Sequence, residues 1–120
     1  MKHMKFDYDC ENDSLFLFQD EGVYEFSEFL TNSIAIDFNT DKIPIGIEVF
    51  NASKKFNTEK NNLLNIINGI VKVSICEKEI KFSINLNIKI HSKSTSIKPV
   101  SIVKDNNFNI PDSETNRAIT

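Results

Sequence analysis

Residues 80–90 read Ile80-Lys81-Phe82-Ser83-Ile84-Asn85-Leu86-Asn87-Ile88-Lys89-Ile90. Six apolar side chains alternate with five polar ones without a break. Successive side chains of a strand point to opposite faces, so this period of two predicts a long antiparallel strand with one dry and one wet face. Just upstream, Val71, Val73 and Ile75 alternate in the same way. Glu77-Lys78 then reads as the turn that joins the two strands.

The first half of the chain repeats the pattern in shorter pieces. Met4, Phe6 and Tyr8 alternate with Lys5, Asp7 and Asp9; Cys10 to Ser14 makes a turn, and Leu15-Phe16-Leu17-Phe18 follows as a second, continuously apolar strand. Asn and Asp belong in that turn because their side chains bond the local backbone and tolerate left-handed angles. Asp20 to Asn32 fits neither period and reads as mostly irregular. Ser33 to Phe38 and Pro44 to Phe50 form a second hairpin around Asn39-Thr40-Asp41-Lys42. Pro44 stands at a strand start, where its missing N–H removes no ladder bond.

Between these blocks the period changes. Leu63, Leu64, Ile67 and Ile70 fall at i, i+1, i+4 and i+7. That stripe predicts one principal helix near residues 58–68, with Thr58 as N-cap and Asn68-Gly69 as its stop. Ser92 to Ser96 reads as a loop and Ile97 to Val103 as a final strand. Segregated strands and one helix give an α+β fold with a mainly antiparallel sheet of about seven strands. The expected globular domain spans 1–104, a β-meander in 1–56 extended by a helix and strands in 57–104. Residues 105–120 are polar and broken by Pro111, so a disordered tail is expected there.

The chain has 120 residues, 40% hydrophobic and 26% charged, with a net charge of −3. This is the profile of one soluble domain able to hold a core without disulfides or a structural metal. The charge is unevenly placed: residues 1–50 hold 11 Asp and Glu against 3 Lys, a net of −8, and residues 51–120 net +5. Such asymmetry fits a charged partner or a complementary self-contact, as well as two solvated surfaces of different sign. Arg117 is the only arginine, and nucleic-acid readout leans on arginine forks, so nucleic-acid binding is not expected. Cys10 and Cys76 form no C-x-x-C pair, Met1-Lys2-His3-Met4-Lys5 runs straight into an acidic stretch, and no apolar run reaches membrane-span length. A cytoplasmic protein with no membrane segment is the resulting expectation.

Three motifs of the first half carry a family likeness: Tyr8-Asp9 with Asp13-Ser14-Leu15-Phe16-Leu17, then Ser33-Ile34-Ala35-Ile36-Asp37, then Gly46-Ile47-Glu48-Val49-Phe50-Asn51-Ala52-Ser53. In these the chain resembles the family catalogued as domain of unknown function 2283, over roughly its first 56 residues. The resemblance implies a compact four-stranded meander with a short helix and no established activity. Some members neighbour small toxin-like genes, which implies an antitoxin role at family level only. Members usually carry a glycine in the turn before the last strand, where this chain has Asp41-Lys42-Ile43-Pro44. Residues 57–120 match nothing in that module.

Chemistry-bearing residues are few. Asp7, Asp9, Glu11 and Asp13 crowd one turn, but a calcium loop needs Gly at its sixth position and Glu at its twelfth, and the chain has Asn12 and Phe18 there. Asp7, Asp9, Asp37 and Glu48 are candidate metal or acid/base residues if strand order brings them to one face, and otherwise solvated or turn side chains. Gly46 lies two residues before Glu48 on the same face and leaves room above the sheet. His3 and His91 lack ligand spacing, and no nucleotide-binding or hydrolase fingerprint occurs. No enzyme and no cofactor is therefore expected.

Ten Phe and two Tyr exceed what one thin sheet and one helix readily cover. Phe16, Phe18, Tyr24, Phe26 and Phe29 fall in one short acidic span, and a second subunit is the simplest way to bury them; burial inside the monomer is the alternative. The expected function is protein association, chiefly as a homo-oligomer with a dimer favoured. The alternatives are an antitoxin-like regulator whose tail folds onto a small basic protein, and a metal-assisted hydrolase using the clustered carboxylates.

Overall fold

Period-two stretches become strands almost everywhere in the computed structural model, which describes residues 3–120. In chain order these are β1 (His3–Asp9), β2 (Ser14–Phe18), β3 (Tyr24–Thr31), β4 (Ile34–Asn39) and β5 (Pro44–Phe50). The short helices α1 (Ala52–Lys55) and α2 (Lys60–Leu63) follow. The remainder is β6 (Ile66–Ile75), β7 (Glu79–Ile90), β8 (Lys93–Ser96), β9 (Val100–Asp105) and β10 (Ser113–Ile119). The strands form one sheet in the order β3-β4-β5-β2-β1-β10-β6-β7-β8, with β9 also on β7.

The sheet consists of two halves. In the first, β3-β4-β5-β2-β1, every pairing is antiparallel. In the second, β6 lies between β10 and β7, and the 12-residue β7 is long enough to carry β9 along Glu79–Ile84 and β8 along Asn87–Ile90 on its other edge. A short parallel pair, His3 to Ala118 and Met4 to Ile119, joins the halves. One continuous core runs under both, from Leu15, Ile36 and Ile47 through Phe56 and Leu63 to Val73, Ile84 and Leu86. The described residues contain no helix long and apolar enough to cross a membrane.

The long strand over 80–90, both hairpins and Pro44 at a strand start are as the sequence predicts. The α+β class stands, but the sheet is mixed and has ten strands rather than about seven antiparallel ones. Where the principal helix was expected over 58–68, only the four residues of α2 are helical and Ile66 already begins a strand. Of the supposed helical stripe, Leu64, Ile67 and Ile70 are exposed. The β-branched residues that follow, Val71, Val73 and Ile75, are buried, and their pairing with β7 over nearly its whole length outweighs the local helical spacing.

Residues 20–32 are not irregular: β3 occupies most of them, and register shifts at Tyr24/Phe26 and Phe29/Thr31 break the alternation that would have revealed it. Residues 93–96, expected as loop, pair with β7 as β8. The largest correction concerns the tail. Residues 113–119 form β10, between β1 and β6, with Thr115 and Ile119 buried. Between β1 and β6 the strand pairs backbone N–H and C=O groups that would otherwise be left open in the sheet interior, and a polar sequence suffices for that where only a few side chains face the core.

The turn before β5 also accounts for the absent family glycine. Lys42 adopts φ 61°, the left-handed region that glycine enters freely. Asn39 Oδ1 accepts hydrogen bonds from the Asp41 and Ile43 N–H groups, each at 2.9 Å, and so holds the turn shut.

Candidate functional site

The outer face of the first half-sheet follows from register. One cross-strand row runs Asp7, Phe16, Glu48, Ala35, Phe29, and the next runs Lys5, Phe18, Gly46, Asp37, Ser27. Phe50, opposite Ser14, continues the same face. All these side chains point away from the core, which takes the alternate residues Met4, Leu15, Leu17, Ile34, Ile36, Ile47 and Val49. Ala35 and Gly46 are buried even so, because the rings and carboxyls around them form a cover over a floor of small residues.

Asp37 and Glu48 meet on that floor. An ideal Cβ on Gly46 would lie 3.0 Å from Asp37 Oδ2 and 3.2 Å from the Leu17 carbonyl, so any side chain there would crowd the Asp37 carboxylate and make it shift by a few tenths of an ångström. Ser27 Oγ donates to Asp37 Oδ1 at 2.5 Å, and the Tyr24 hydroxyl shares a hydrogen bond with Ser27 Oγ at 2.8 Å. Burial, then hydrogen bonding to Asp37 and its negative charge, push the Glu48 carboxyl up to about 7. Around the pair stand Phe18, 38% exposed, Phe29, 56%, and Tyr24, 58%. Phe29 stacks on Phe50 with ring centroids 6.0 Å apart.

Four of the five aromatic candidates therefore share one face. Phe26 does not: it stacks on Phe38 at 5.0 Å and packs against the core, because the bulge after Tyr24 turns it inward. Of the four carboxylate candidates, Asp37 and Glu48 come together. Asp7 lies in the Glu48 row, but with β2 and Phe16 between them. Asp9 is occupied by Asn12, which donates from its N–H and its Nδ2, and these bonds hold Asp9 below its ordinary value. Among the described residues no three His, Cys, Asp or Glu side chains are grouped to hold a metal ion.

A second cluster organises the turn at the end of the same half-sheet. Asp13 is buried with φ 52°, a conformation that Asp tolerates. Its carboxylate accepts from Tyr8 Oη at 2.7 Å, from the Ser53 N–H at 3.0 Å and from Ser53 Oγ at 2.7 Å, while its carbonyl accepts from the Ala52 N–H at 3.0 Å. Burial acts to raise the Asp13 carboxyl, but the Tyr8 and Ser53 hydrogen bonds and the charge of Lys60 outweigh it and hold it below the usual range. Burial and the bond to Asp13 push the Tyr8 phenol up. Asn51, at φ 54°, turns β5 into α1 and brings Ser53 within reach. Phe50 and the link from Asp13 to Ser53 escaped the sequence reading, although the motif residues Tyr8, Asp13, Ala52 and Ser53 were its available signal.

The Glu48 shift has a signed consequence. An acid whose folded value lies above its unfolded one contributes stability that is complete below the unfolded value and is lost as pH rises through the folded one. Stability from this group is therefore expected to fall as pH rises from the ordinary glutamate range to about 7. Glu48→Gln should flatten that fall and raise stability at alkaline pH by about 1 kcal/mol. Urea denaturation of both proteins across this range checks it; parallel pH profiles would contradict it.

Comparison with known proteins adds kinship without an activity. The family model described as "Protein of unknown function (DUF2283)" matches residues 5–53, a stretch that runs from β1 to Ser53 and contains both clusters. An uncharacterized protein of Methanocaldococcus jannaschii is 39% identical over 88 residues, 73% of this chain and 72% of that protein. A Methanosarcina mazei protein named "Putative hypoxanthine phosphoribosyltransferase" is 30% identical over 107 residues, 89% of this chain and 85% of its own length. No solved structure matches.

Proposed function

The chain belongs to the DUF2283 family of proteins of unknown function, and on that premise we propose that it is a protein-association module, acting as a homo-oligomer through the outer face of β1–β5. The observation that carries this reading is the one-sided exposure of Phe18, Tyr24 and Phe29 over a buried floor, on a sheet whose opposite face is the core. Exposed rings clustered around hydrogen-bonded polar groups are the usual make-up of an energetically dominant contact. The carboxyl pair is read as part of that contact rather than as a catalytic centre.

The name of the M. mazei relative offers a second reading, phosphoribosyl transfer. Proteins hold a sugar pyrophosphate with backbone N–H groups at glycine-rich turns or helix N-termini. Here Gly22, Gly46 and Gly69 are isolated from one another, and both described helices are four residues long. The antitoxin alternative relied on a free tail, and residues 113–119 are a paired strand. Association is the reading these residues support best.

Size-exclusion chromatography with light scattering tests it. The whole chain is expected to be a dimer at high micromolar concentration. The double substitution Phe18→Ser and Phe29→Ser should weaken dimerisation by about tenfold or more without changing the far-ultraviolet circular dichroism. A monomer throughout, or a variant that dimerises as well as the parent, would overturn it.

A further inference from the structure

The outer face of the second half-sheet differs in character from the first. Lys72, Ser83 and Ser101 form one cross-strand row, and Ser74, Lys81 and Val103 form the next. The surface there dips into a groove of about 340 Å³ between β10, β6, β7 and β9. Its apolar exposure comes from Val103, 61% exposed, and its positive charge from Lys72 and Lys81, both exposed on adjacent strands. Glu114 is the acid in the lining, and it already accepts a hydrogen bond from Ser74 Oγ. Lys81 contacts Glu79 at 3.4 Å. Both are on the surface, and such a pair contributes little and exchanges readily for a better one.

These features complement the aromatic face. That face offers rings beside two carboxylates that form no salt bridge with any described cation; the groove offers a concave surface with an exposed valine beside two lysines. The split of the chain into a half of −8 and a half of +5 is the same complementarity seen in sequence. We propose that the occupant of the aromatic face is this groove on a second copy of the chain, with Lys72 and Lys81 of one copy set against Asp37 and Glu48 of the other, and Val103 against Phe18 and Phe29. The inference rests on the association reading and names its partner surface. Each contact joins unlike surfaces, and two copies that exchange both contacts close as a dimer. Aromatic face against aromatic face would instead bring two acidic pairs together, which repel.

Mixing separates these arrangements. Lys72→Glu with Lys81→Glu spoils the groove and spares the rings; Phe18→Ser with Phe29→Ser does the reverse, and all four side chains are exposed enough for both variants to fold. Each variant alone is expected to be monomeric at concentrations where the parent dimerises, and an equimolar mixture should recover association through its one intact contact. Parent dimerisation should also weaken at high salt. A lysine variant as dimeric as the parent would overturn the inference and leave the association reading standing. A mixture that stays monomeric would overturn it too, and a monomeric parent would remove both.

Discussion

Removing residues 113–120 is expected to abolish cooperative folding. In that truncated chain β6 loses its antiparallel partner along the whole register from Ser113–Ile75 to Ile119–Gly69. The parallel junction to β1 and the bond from the Thr120 N–H to the Met4 carbonyl go with it. Two interior strand edges are then open to water or to other chains, and the places of Thr115 and Ile119 in the core are empty. The loss should exceed the whole stability of an ordinary domain, about 5–15 kcal/mol. A thermal melt followed by circular dichroism should show no transition, with aggregation on concentration. A truncated chain that melts like the parent would mean that β10 is dispensable.

The second large effect is expected from Asp13. Asp13→Ala leaves the Tyr8 hydroxyl and both donors of Ser53 without their acceptor in a part-buried place, and it sets at φ 52° a residue without the side-chain hydrogen bonds that let aspartate hold that conformation. A loss of about 3 kcal/mol follows from those terms together. Asp13→Asn tolerates the same backbone angle and keeps an acceptor oxygen, so it should recover part of the loss. Because the Asp13 carboxyl is held below its ordinary value, its stabilising effect is present above the unfolded value and is lost as pH falls through the folded one. The parent should therefore lose stability in acid from a source that the alanine variant lacks. Urea denaturation at neutral and acid pH measures both effects, and an alanine variant within experimental error of the parent would contradict them.

Asp13 and Glu48 act in opposite directions. Protonating Asp13 weakens the fold in acid, and ionising Glu48 weakens it as pH rises to about 7. Between these the sheet should be most stable, in mildly acidic solution.

The sequence was most legible where one face alone meets water. Residues 80–90 alternate because β7 is buried on one side only, and the second hairpin was legible from its turn residues and Pro44 although β5 is covered on both faces over Pro44–Ile47. It was least legible where the fold rests on the backbone. Strand β10 presents Ser113, Thr115, Arg117 and Ile119 inward, and this mixture carries no hydrophobic period although its pairing is complete on the β6 side. Strand β3 alternates but is interrupted twice, and each register shift reverses the pattern. The helical spacing of Leu63, Leu64, Ile67 and Ile70 was present in the chain, yet tertiary pairing with β7 overrode it.

The site was half legible for a related reason. The aromatic cluster could be read from composition, but that Phe16 and Phe18 share the face of Glu48 depends on β2 lying beside β5, which only the strand order reveals. The meeting of Asp37 with Glu48 depends on β4 lying beside β5, which the hairpin implies. The isolation of Asp7 depends on β2 inserting between β1 and β5, which only the strand order reveals. The 40-residue span from Asp13 to Ser53 is of the same kind. Both ends lie in the family-like motifs, but nothing local states that they touch.

A dilution series of ¹H–¹⁵N correlation spectra on the whole protein tests whether the outer face of β1–β5 is a contact surface between copies of this chain. Concentration-dependent shifts are expected for the amides of Phe16, Phe18, Phe29, Glu48 and Phe50, and on the other half-sheet for Lys72, Lys81 and Val103, with surfaces away from these two faces unmoved. Spectra that do not change with concentration, or changes confined to other surfaces, would contradict it.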